Sequence, residues 1–142
     1  MFSSDRQQHR EMFATSWRKY RNDEALTPLE KQIADVVAEH PEYHEIIDDT
    51  ESIEWREFTV EAGMSNPFLH MGLHLGLREQ VGTDRPAGIK SICRSLLIKH
   101  SGEGHQVEHL MMECLAESLW QAQRSQQMPD EQAYMEALHR LL

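Results

Sequence analysis

One stretch, Pro67-Phe68-Leu69-His70-Met71-Gly72-Leu73-His74-Leu75-Gly76-Leu77, constrains the fold more than any other part of the chain. Its only polar side chains are His70 and His74. A helix that is apolar on every side is buried on every side, so the segment predicts a central helix with neighbours around it. At about 100° per residue, His70 and His74 share one face, and Gly72 and Gly76 lie opposite. The glycines admit a close neighbour. The histidines point into the protein rather than at water.

Helix signals dominate the remainder. Ser4, with Gln7 in capping-box position, predicts a first helix whose apolar face is Met12, Phe13, Trp17 and Tyr20. Thr27-Pro28-Leu29-Glu30 combines a cap, a proline at the first helical position and a box acid. Ile33, Val36 and Val37 form the apolar face of that helix, and Pro41 ends it by pushing His40 out of the helical region. A short helical stretch follows through Ile46 and Ile47. Asn66-Pro67 starts the apolar helix, which runs to about Val81. Arg85-Pro86 starts the next, with Ile89, Ile92, Cys93, Leu96 and Leu97 as its stripe, and Ser101-Gly102-Glu103-Gly104 breaks it. A long helix spans about Gly104 to Arg124. Pro129-Asp130-Glu131 opens the last, with Tyr134, Leu138 and Leu141. Ile53, Trp55, Phe58 and Val60 are partly strand-like, but no second strand exists to pair with them. Residues 50–64 are therefore read as a long packed connection. The expectation is an all-α fold: a single-domain bundle over residues 1–142, with five to six helices and no sheet.

Composition agrees with one soluble domain. A chain of 142 residues with 39% hydrophobic and 27% charged residues has enough apolar surface for a core of its own. No apolar run approaches the roughly 20 residues that span a bilayer, and the N-terminus carries no secretory h-region. Cys93 and Cys114 form no CxxC pair, which suits a reducing cytoplasm. The net charge of -10 argues against nucleic acid and anionic membranes as partners. That charge is uneven. Residues 1–21 hold five bases against two acids, whereas residues 22–61 hold two bases against thirteen acids. The acidic segment, residues 23–61, is a solvated face or a docking surface for a basic protein.

Nine histidines in 142 residues are the chemical signal. A buried imidazole left unsatisfied costs about 1–3 kcal/mol, and His70 and His74 would each need a partner. Carboxylates or backbone carbonyls could serve. So could one metal ion, because HxxxH places two nitrogens on a single ion. His105-Gln106-Val107-Glu108-His109 is an H-x-x-E-H sequence, the inverted zinc motif. There two histidines one turn apart hold the metal, and the glutamate between them accepts a proton from metal-bound water. Glu113, one turn further, offers an oxygen ligand. The main apolar face of this helix is Val107, Met111, Cys114, Leu115 and Leu119, so His109 and Glu113 lie off its centre. A solvated polar face is thus the competing reading. His40 and His44 bracket Pro41 and need not share a face. His9 and His100 continue apolar stripes and are read as core histidines, and His139 as a surface one.

Asn66–His74, Arg78-Glu79-Gln80, Asp84-Arg85-Pro86, Glu108–Leu115 and Trp120–Arg124 together resemble a family of small bacterial proteins, the domain of unknown function 1841. Trp17 and the His40–His44 segment fit it too, so the likeness covers most of the chain. The resemblance implies a bacterial, cytoplasmic protein and carries no activity. The hemerythrin order of motifs and the paired ExxH of ferritin-like bundles do not fit. Two readings follow. In the first, His70 and His74 face His105 and His109 around zinc or iron, with Glu113 as a further ligand and Glu108 as a general base for metal-assisted hydrolysis. In the second, the chain is a non-enzymatic acidic interaction module whose histidines are core residues.

Overall fold

The computed structural model of the chain describes residues 2–48 and 67–142. Among them are seven α-helices, one 3-10 turn and no strand. The strand-like positions Ile53, Trp55, Phe58 and Val60, and the connection proposed around them, lie outside the described residues. The helices are α1 (Phe2–Arg21), α2 (Pro28–Ala38), α3 (His44–Asp48), α4 (Pro67–Thr83), α5 (Ile89–Lys99), α6 (Gly104–Ser125) and α7 (Glu131–Arg140). The count exceeds the expected five to six, because six helices of ten or more residues accompany the five-residue α3. Two compact units can be distinguished in the chain, Met1–Leu75 and Gly76–Leu142. The division falls within α4.

The first unit is built on α1, α2 and the start of α4. The first helix begins at Phe2, so Ser4 lies inside it rather than capping it. The start of α2 is as the sequence predicts. The Glu30 N–H donates to Thr27 Oγ1 at 3.1 Å, and the Thr27 N–H donates to Glu30 Oε1 at 2.9 Å. Ile33, Val36 and Val37 of α2 then pack with Phe13, Trp17, Ile47, Phe68 and Met71 in one buried cluster. Burying such side chains contributes about 1.5–3 kcal/mol each against the entropy of ordering them. Phe13 and Phe68 meet edge to face with ring centres 5.8 Å apart, which ties α1 to the start of α4. The basic end of α1 neutralises part of the acidic segment. Lys19 pairs with Glu30 at 2.9 Å, and Arg21 holds both oxygens of Asp48 at 2.9 Å.

The second unit joins the C-terminal half of α4 to α5, α6 and α7. Its buried side chains are Leu77, Ile89, Ile92, Leu96, Val107, Met111, Met112, Leu115, Tyr134 and Leu138. The apolar face of α6 stops at Leu115, since Leu119 is 43% exposed. Met112 replaces Cys114 on that face, because Cys114 is only half-buried. Arg85-Pro86 precedes α5 by a full turn instead of opening it. Gly88 stands between them at φ +99°, a left-handed conformation that a side chain disfavours. Asp84 Oδ1 accepts from the N–H of Gly88 at 3.1 Å and of Lys90 at 3.0 Å, which supplies the cap that Gly88 cannot. The Tyr134 hydroxyl donates to Gln80 Oε1 at 2.7 Å and fixes α7 to α4. No helix among the described residues is long and apolar enough to cross a membrane.

Candidate metal centre

Three histidines meet inside the first unit. Two come from α4. His74 is fully buried and His70 half-buried, as the all-apolar helix predicts. The prediction of burial on every side fails only at Leu69, which is 59% exposed. Because the pair sits one helical turn apart, the two Nε2 atoms approach to 3.1 Å. The third is His40, at the end of α2. The His40 N–H donates to the Val37 carbonyl, Pro41 stops the helix, and the imidazole folds inward to 3% exposure. Its ring centre lies 5.1 Å from that of His70 and 4.8 Å from that of His74. A ligating nitrogen of each of the three lies within 4.8 Å of the others.

Hydrogen bonding fixes the tautomer of His40. Its Nδ1 lies 2.8 Å from the Val36 carbonyl oxygen, and a carbonyl only accepts, so Nδ1 carries the proton. In the neutral ring Nε2 then holds the lone pair. That Nε2 is buried and has no hydrogen-bond partner among the described residues. A carbonyl holding the far nitrogen of a histidine is the usual outer support of a metal ligand. Ser16 Oγ and Trp17 Nε1 are also buried without a partner there, but an indole N–H is purely a donor and cannot ligate. Two nitrogens 3.1 Å apart can both reach one ion, since metal–nitrogen bonds of roughly 2.0–2.1 Å span up to about 4.2 Å between donors. The Tyr43 ring stacks on His40 with centres 5.5 Å apart and stands edge-on to His70 at 6.2 Å. Burial, and then Glu42, raise the pKa of the Tyr43 phenol, so the wall that it adds is neutral at physiological pH.

His44 takes no part in this cluster. Its Nε2 donates to the Val37 carbonyl at 2.8 Å, and its ring lies against Trp17 with centres 4.4 Å apart. The sequence reading thus passed over His40. The available signal was its place on the stripe Ile33, Val36, Val37, one further step along the buried face of α2.

The other sequence-selected residues belong to the second unit. The rings of His105 and His109 meet at 62° with centres 4.1 Å apart, His109 half-buried and His105 exposed. Glu113 is exposed. Glu108 is held by the Arg78 guanidinium, whose Nε and Nη2 donate to Glu108 Oε1 at 3.1 and 2.9 Å. A carboxylate in such a two-pronged ion pair is committed to a structural task. His9 is exposed, although its ring packs on the edge of Phe13, so it is not the core residue its stripe suggested. Its pKa is lowered, first by partial desolvation and then by Arg10.

The model of a domain of unknown function, DUF1841, matches residues 5–140. The chain belongs to the DUF1841 family. For this DUF1841 protein no curated protein and no solved structure gives a match. The function of the DUF1841 chain therefore has to be read from the imidazole cluster itself.

Proposed function

We propose that this protein binds a divalent transition metal through Nε2 of His40, His70 and His74. The observation that supports it best is the buried Nε2 of His40, aligned by the Val36 carbonyl and placed with two further imidazoles. An imidazole donor set without thiolate suits zinc or non-haem iron. Within the second unit, His105 and His109 of the HxxEH sequence are proposed as a separate donor pair on that motif. His105 and Glu113 are weaker candidates, because solvent competes for both. For Glu108 to serve as a general base in hydrolysis, it would first have to leave Arg78. The reading therefore rests on metal binding and not on hydrolysis.

The test is metal content of the untagged protein, purified without chelator and measured by inductively coupled plasma mass spectrometry. We expect near-stoichiometric zinc or iron, lost in His74→Ala. Repeated absence of metal, also after reconstitution, would overturn the proposal. The His109→Ala variant tests the second pair: a lower metal stoichiometry supports it, and an unchanged stoichiometry removes it.

A further inference from the structure

Within the second unit, α4, α5 and α6 surround a cavity of about 310 Å³. Leu77, Val107 and Met111 form its floor and are buried, and the half-buried Val81, Cys93 and Leu97 form its walls. Gly82 stands exposed at the rim, where an added Cβ would meet nothing within 4 Å, so that side is open. Packed interiors leave few voids larger than a water molecule, so a hollow of this size between three helices calls for an occupant. Its volume is about twice the roughly 150 Å³ of an apolar cavity that takes up one benzene. The larger hollow between α6 and α7, about 470 Å³, differs in kind. Glu117, Gln121, Asp130 and Arg140 line it and are exposed, and water serves such groups well.

The lining of the smaller cavity selects by polarity. Its floor and walls present carbon and sulfur, and a free cysteine such as Cys93 behaves there as a small hydrophobe. Among the described residues that line it, the charged ones are Arg78 and Glu108, which hold each other at 2.9 Å. An ionised ligand would have to break that pair or enter the cavity without a counter-charge, and either is unfavourable. We propose that this cavity binds a small uncharged apolar molecule of about ten carbon atoms, roughly twice the bulk of benzene. Apolar surface leaves water on both sides when the ligand enters beside Gly82, which drives the binding.

The uncharged naphthalene dye prodan, whose emission shifts to the blue in apolar surroundings, is the probe, used with the full-length protein. We expect a saturable blue shift. Saturating dye should also slow the alkylation of Cys93 by N-ethylmaleimide and leave that of Cys114 unchanged. Peptide mass spectrometry reads the two sulfurs separately, and Cys114 is the internal control because it lines the other hollow. 1-Octanol should displace the dye, whereas octanoate of the same chain length should not. Val81→Trp fills the cavity and should weaken binding by about 10-fold or more, as the loss of about two buried methylenes would. Should that variant not fold, Gly82→Leu takes its place, because the position has open space for a side chain. Absence of a saturable shift overturns the proposal. So does equal slowing of both cysteines, displacement by octanoate as strong as by octanol, or unchanged affinity in the folded variant.

Discussion

His40 and His44 stand on either side of one 3-10 turn and carry the same side chain, yet they are used differently. Both donate a ring N–H at 2.8 Å to a carbonyl at the end of α2. In His40 that donor is Nδ1, which leaves Nε2 turned toward His70 and His74. In His44 it is Nε2, so the nitrogen at the tip of the ring is already committed. Each imidazole therefore contributes a hydrogen bond of about 0.5–1.5 kcal/mol to stability, but only His40 belongs to the cluster with His70 and His74. His40→Ala is expected to weaken metal binding by about 100-fold or more, since loss of a mere supporting group already costs 10–100-fold. His44→Ala should lower stability similarly and leave metal affinity within a few-fold. Competition with a chromophoric chelator measures both. Equal affinity in the two variants would remove His40 from the donor set.

At the scale of the element, helix boundaries rest on a few polar contacts. Glu30 closes the capping box of α2 and also pairs with Lys19. The Thr27 backbone N–H, followed by Lys19, holds its carboxyl below the ordinary value of 4.5. A carboxyl with a depressed folded pKa stabilises the fold fully above its unfolded value. It loses that contribution as pH falls through the lower folded one. Glu30→Gln should therefore flatten the acid limb of the stability–pH curve below pH 4.5 and change its neutral slope little; equilibrium urea unfolding at several pH values checks this. Gly88 precedes α5 at φ +99°, with the Met135 methyl 3.5 Å from where a Cβ would stand, which is ordinary contact. The cost of Gly88→Ala is thus conformational, about 1–2 kcal/mol, read from the denaturant midpoint. The cap and proline of α2 were legible because their chemistry is local. The start of α5 was not, because Asp84 caps it across four and six residues.

Across the whole molecule, metal binding and folding are linked. A ligand that binds only the folded chain at about a hundred times its Kd adds about 2.7 kcal/mol. For 142 residues that amounts to an increase of about 9 °C in Tm. Zinc should produce this increase, chelator should reverse it, and His74→Ala should abolish it; differential scanning calorimetry follows all three. Charge is distributed at the same scale. The excess of bases in residues 1–21 is drawn onto the acidic segment through Lys19–Glu30 and Arg21–Asp48. The pairing leaves Glu39, Glu42 and Glu45 at the surface.

The sequence by itself determined what is periodic or local: helices throughout the described residues, the capping box, and an apolar α4 whose two histidines face inward. Those features depend on spacings of three to four residues, which a single helix enforces. Only the tertiary structure decided which histidines meet. His40 is thirty residues from His70, and no helical period connects them. Tertiary packing likewise assigned Glu108 to Arg78, a partner thirty residues away that the HxxEH spacing cannot reveal. It also decided which parts of amphipathic stripes are covered, leaving His9, Leu69 and Leu119 at the surface. A periodic pattern states which residues share a face, whereas the packing of other helices decides how far along that face burial extends.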